Sequence, residues 1–128
     1  MEEHRLTRKR VRQGVSEDQP GFYRLGNVIN GRFYTGYVGR SDSCLQTRLG
    51  QHAQMGWFTH FVARPMDSVR EAYRAECLFY HLQQEETLNK RHPCRPDETE
   101  LQCPYCEFEE RLTADKAENS QPQNKNVA

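Results

Sequence analysis

A chain of 128 residues with a mean hydropathy of −1.00 and 28% charged side chains has room for one modest core and no second domain; no apolar run approaches the ~18 residues of a membrane span. Eighteen Lys/Arg cancel eighteen Asp/Glu overall, but residues 1–65 carry ten basic and five acidic groups against eight and thirteen in residues 66–128. The charged start, Met1 to Gly14, lacks the apolar segment of a signal peptide, and five cysteines are an odd number, so reduced thiols and a cytoplasmic location, nuclear in a eukaryote, are expected.

Residues 1–19 read as a basic, flexible arm. Arg5, Arg8, Lys9, Arg10 and Arg12 crowd it, and Arg8, Lys9 and Arg10 are expected to lie along a phosphate backbone through counterion release. Phe22–Leu25 and Phe33–Val38 follow as two aromatic-rich strands joined by a hairpin with its turn at Asn30-Gly31. Ser43-Cys44-Leu45-Gln46 has the form of a capping box and opens a helix to about Gln54. Trp57–Val62, dense in aromatic and β-branched residues and stopped by Pro65, is a third strand. Ser68-Val69-Arg70-Glu71 is a second capping box, opening a helix to about Glu85 in which Ala72, Glu76 and Tyr80 recur every four residues. The order β-β-α-β-α predicts an α+β domain over residues 20–112, a small three-stranded antiparallel sheet flanked by helices. From Thr113 to Ala128 the Asn/Gln/Lys/Pro content predicts a disordered polar tail.

Two tripeptides, Gly21-Phe22-Tyr23 and Tyr37-Val38-Gly39, stand thirteen residues apart and precede Arg48, His52 and Glu76. Arg48 and His52 are spaced i,i+4 and share one helix face. This constellation resembles the GIY-YIG nuclease family over roughly residues 21–92, with Phe22 and Val38 in place of the usual isoleucines. The resemblance implies the same fold and a metal-dependent endonuclease acting on DNA, duplex or branched. By similarity, Tyr23 and Tyr37 would flank the attacking water, with His52 as proton partner. Arg48 would bind the attacked phosphate, and Glu76 would hold one Mg2+ or Mn2+. Arg40 and Asn89 would contact nucleic acid, although Asn89 also reads as a helix C-cap or turn residue.

Tyr34-Thr35-Gly36 also satisfies the second tripeptide. Tyr37 is preferred because it leaves nine positions from Gly39 to Arg48, and strand alternation is expected to put Tyr34 and Tyr37 on opposite faces. No separate DNA-reading domain is expected, so a targeting subunit or a structured substrate such as a branch or flap would supply specificity, and two cuts on a duplex would favour a homodimer. A reading from another class is a nucleic-acid-binding or scaffold protein that keeps the fold without turnover.

Beyond the motif, His92-Pro93-Cys94 is followed by Cys103-Pro104-Tyr105-Cys106. Cys-x-x-Cys is a half-site for zinc, and His92 with Cys94 could complete a structural Zn2+ site; His81 and Cys77 compete for that role. The same pair of cysteines also reads as an inert turn.

Overall fold

In the computed structural model, which describes residues 3–84, 86–89 and 91–106, the chain forms an α+β domain. The elements in order are β1 (His4–Arg5), α1 (Arg8–Gly14), β2 (Gly21–Ile29), β3 (Arg32–Ser41), α2 (Leu45–Met55), β4 (His60–Pro65) and α3 (Val69–Leu82). The sheet is antiparallel with four strands in the order β1-β4-β2-β3, so the expected three-stranded sheet gains a short edge strand. The expected tail from Thr113 lies outside the described residues. No helix among the described residues is long and apolar enough to cross a membrane.

The extra strand comes from the segment expected to be a flexible arm. Leu6, Val11 and Val15 are buried in the core, so residues 4–15 are held by apolar burial despite their charge. Thr7 caps α1, its hydroxyl accepting from the Arg10 amide at 3.1 Å. His4 and Arg5 pair with Phe61 and His60 of β4.

Asn30 and Gly31 both take positive φ, 52° and 80°, the requirement of a two-residue hairpin turn whose twist matches its strands. The β2–β3 ladder then runs from Ile29↔Arg32 to Gly21↔Ser41 and carries one irregularity, where Leu25 pairs with Tyr37 but Gly26 with Thr35. Gly36 is the extra residue of this bulge. The bulge overturns the alternation expected between the two tyrosines: Tyr34 opposes Asn27 and Tyr37 opposes Leu25, two positions on the same face of β2.

Helix α2 starts one residue later than its expected capping box. Cys44 is the N-cap and makes no side-chain cap bond. The helix start is satisfied from outside instead: Ser41 Oγ accepts from the Cys44 amide at 3.1 Å, the Leu45 amide donates to Gln19 O at 2.8 Å, and Gln46 Nε2 reaches Val15 O at 2.8 Å. Gly56 ends α2 in the left-handed region, φ 73°. That leaves Trp57 exposed in the following turn, and the next strand begins at His60 rather than Trp57. Helix α3 keeps its expected cap, Ser68 Oγ accepting from the Glu71 amide at 3.2 Å, and ends at Leu82 rather than Glu85.

The sheet is covered on both sides. Tyr23 and Leu25 of β2, with Phe61 of β4, pack with Leu45 and Leu49 of α2 and Val11 of α1. The alternate residues face α3: Phe22 stacks on Phe79 at 5.0 Å, and the Arg24 guanidinium lies 4.9 Å from the same ring. Strand β2 is therefore buried on both faces, and its motif residues are fixed by close packing.

Candidate functional site

Tyr23 sits on a central strand, paired with Gly39 of β3 and Ala63 of β4 and only 1% exposed. Its ring lies across Gly39, where a Cβ would fall 2.5 Å from both Cζ and the hydroxyl oxygen. Only a glycine fits beneath that ring. The second motif thus supplies a tyrosine at its start and the floor for the first motif's tyrosine at its end.

The Tyr23 hydroxyl lies 2.8 Å from His52 Nε2. Tyr37 completes a group of three rings, with centroids 6.4 Å from Tyr23 and 5.7 Å from His52. Tyr34 is elsewhere, at the hairpin end of the same face, 48% exposed and capped by the Arg32 guanidinium at 5.5 Å. The structure therefore gathers Tyr37, not Tyr34, with Tyr23 and His52.

Burial pushes the Tyr23 hydroxyl far above the usual tyrosine range; Tyr37 adds to the rise and Arg48 opposes it. The Tyr37 hydroxyl is also raised, first by burial and then by the Glu76 charge. Burial lowers the His52 imidazole below its ordinary value, and Arg48 lowers it further. At neutral pH both tyrosines are therefore protonated and His52 is neutral. On that basis the hydrogen bond is assigned with the Tyr23 hydroxyl donating to Nε2.

Arg48 stands on α2 one turn before His52, its side chain exposed. Its charge acts on Tyr23, Tyr37, His52 and Glu76 alike.

Glu76 comes from α3, on the other side of the sheet, and is 8% exposed. Its Oε1 accepts from Arg40 Nη1 at 2.7 Å, and Arg40 Nε donates to Asp42 Oδ1 at 2.6 Å. The guanidinium also lies 5.1 Å from the Tyr73 ring. Burial raises the Glu76 carboxyl above its ordinary value, with Arg40 pulling the other way. For Arg40, burial works against the charge, but hydrogen bonds and attraction from Asp42 and Glu76 outweigh it. Arg40, expected among the nucleic-acid contacts, is held by two carboxylates. Nothing in the sequence marked this pair, since 36 residues separate its members.

Asn89 holds the edge of the site. Its Oδ1 accepts from the Val38 amide at 2.9 Å and its Nδ2 donates to Val38 O at 2.8 Å. One residue earlier, the Leu88 amide donates to Gly36 O at 2.7 Å. The carboxamide thereby mimics a strand neighbour and fixes β3 between Tyr37 and Gly39. Of the basic arm, Arg8, Lys9 and Arg10 are exposed on α1. Arg10 donates to His4 Nδ1, and Arg8 lines a groove with Gln46, Thr47 and Gly50 of α2.

A second cluster lies at the end of α3. One ligand atom each from His81, His92, Cys103 and Cys106 falls within 4.8 Å of the others, a group that could hold a metal ion. Cys106 Sγ is 3.2 Å from His92 Nε2, and both sulfurs are 3.5 Å from His81 Nε2. Cys94, expected as a ligand, is exposed and outside the group; His81 takes its place. The signal was in the sequence: Tyr73, Cys77 and His81 recur at i,i+4, so His81 lies on the same face of α3 as the buried Tyr73 and Cys77. No family model, curated protein or solved structure matches this chain.

Proposed function

We propose that the protein is a metal-dependent endonuclease of the GIY-YIG type that hydrolyses DNA phosphodiester bonds. The observation that carries this reading is the 2.8 Å contact between the Tyr23 hydroxyl and His52 Nε2, set beside Tyr37 and within the field of Arg48. Hydrolysis by water needs a proton acceptor, a counter-charge for the phosphate and support for the leaving oxygen. A tyrosine with a raised pKa is a poor base on its own. As a relay it takes a proton from water while giving its own to His52, whose neutral Nε2 is ready to receive it. The Arg48 guanidinium, a planar fork of donors, can bridge two phosphate oxygens.

Glu76 fits a hard cation. Oε1 is held by Arg40, while Oε2 takes no hydrogen bond among the described residues, and Asp42 sits on the same guanidinium. Mg2+ or Mn2+ commonly binds through one or two carboxylates, water and the substrate's own phosphate. Such an ion supplies Lewis-acid stabilisation of the leaving oxygen. Cutting both strands of a duplex would call for a second copy, and a targeting subunit would supply specificity.

The Arg40–Glu76 pair favours a second reading, because a buried glutamate matched by an arginine also serves a purely structural purpose. In that reading the protein binds nucleic acid, or acts as a scaffold, without turnover. The test is cleavage of labelled duplex, single-stranded, flap and branched DNA with Mg2+ or Mn2+. The native protein should cut at least one substrate, with Glu76→Ala and Arg48→Ala each slower by about 100-fold or more. If the native protein cuts nothing, while it and Glu76→Ala bind DNA equally, the nuclease reading fails and the second one stands.

A further inference from the structure

We infer that His81, His92, Cys103 and Cys106 bind one structural Zn2+, and that this ion staples the Asn89 segment onto the edge of β3. Two thiolates and two imidazoles are a soft-to-borderline donor set, which suits zinc and disfavours magnesium or calcium. In a tetrahedral zinc site the ligand atoms stand about 3.5 Å apart, given bond lengths of about 2.3 Å to sulfur and 2.0 Å to nitrogen. Three of the six separations here are 3.2, 3.5 and 3.5 Å, and all six fall within 4.8 Å. Binding would release two thiol protons, and Zn2+ with two thiolates is neutral, the charge state least costly to enclose beside Tyr73 and Cys77.

The surroundings agree with this assignment. His92 Nδ1 lies 2.8 Å from Pro93 O; donating there fixes the tautomer that leaves Nε2 with a lone pair for the metal, as ligating histidines require. The Tyr105 amide donates to Cys103 Sγ at 3.4 Å, an outer hydrogen bond of the kind that orients a ligating sulfur. The two histidines also bracket Leu88 and Asn89 in the sequence. An ion bound to both closes the loop between them into a short ring, so the segment that grips Gly36 O and Val38 is tied at each end.

Metal analysis of the full chain, purified without chelator and supplied with Zn2+, should give about one zinc per chain. Zinc is expected to be lost in His81→Ala and in Cys103→Ser, and retained in Cys94→Ser. Co2+ added to the native protein should give the visible absorption of a tetrahedral site with two sulfur ligands, a readout independent of whether any variant folds. Withdrawal of zinc by a zinc-selective chelator should speed hydrogen exchange at the Val38 amide. Absence of bound zinc with an octahedral or featureless cobalt spectrum would overturn the site, as would a Cys103–Cys106 disulfide in protein kept reduced during purification. Zinc lost from Cys94→Ser but kept by His81→Ala would overturn the ligand set. Unchanged Val38 exchange after full zinc removal would overturn the staple.

Discussion

Adding one methyl group at Gly39 tests the packing on which the Tyr23–His52 contact depends. In Gly39→Ala the new Cβ would stand 2.5 Å from Cζ and the hydroxyl oxygen of Tyr23 and 3.0 Å from Cε1, well inside van der Waals contact. The ring cannot swing away freely, since it is 1% exposed and packed among Leu25, Leu45, Leu49 and Phe61. Overpacking of this kind costs about 2 kcal/mol, or roughly 8 °C in Tm for a domain of this size. Gly50→Ala is the matched control: it lies inside α2 with nothing within 4 Å of its Cβ position. That change should stabilise the helix by about 0.5–1 kcal/mol, a gain of roughly 2–4 °C. Thermal unfolding followed by circular dichroism reads both. The steric cause is isolated by repeating Gly39→Ala in a Tyr23→Leu background, where its cost should largely vanish. A Gly39→Ala variant as stable as the native protein, or one equally damaging without the tyrosine ring, would refute the reasoning. If the nuclease reading is right, the same substitution also moves the hydroxyl off His52 and slows cleavage by about 100-fold.

Two further outcomes follow from the site. Asn89→Ala removes both hydrogen bonds to Val38, a residue with 0% exposure; unfolding in urea should show a loss of about 2–3 kcal/mol, and Asn89→Asp, which keeps only the acceptor side, should fall between. His52 has a folded pKa below its ordinary 6.5, first through burial and then through Arg48. The unfolded chain therefore takes up the proton first, so the stability that His52 contributes is complete above about pH 6.5 and is lost as pH falls through the folded value. Tm measured at pH 7.5 and 5.5 should drop more for the native protein than for His52→Gln; equal drops would remove His52 as the cause.

Local chemistry was legible where it acts over a few residues. The Asn30-Gly31 turn and the Ser68 cap were readable because each is decided by backbone preferences and hydrogen bonds within four positions. Tyr23, Tyr37 and His52 lie together, a grouping that the family resemblance implied and that spacing alone did not. What escaped was set by contacts between distant segments. The charge of residues 1–19 concealed the Leu6, Val11 and Val15 stripe that docks α1. The start of α2 is satisfied by Gln19 and Ser41, not by a capping box of its own. The bulge at Gly36 reset an alternation that the sequence alone presents as unbroken. The Arg40–Glu76 pair was not legible because Glu76 reaches Arg40 only through the packing of α3.

The strand order also bears on how the protein avoids sticking to itself. An exposed strand edge offers unpaired peptide groups to any other chain and invites edge-to-edge aggregation. One side of this sheet ends in β1, only two residues long; the other ends in the ten-residue β3, whose middle is covered by the Leu88 amide and the Asn89 carboxamide. Removing Leu88 and Asn89 would uncover Gly36 and Val38 as a docking template. Leu88 and Asn89 thus act as a guard rail, keeping the longest strand from recruiting a neighbour.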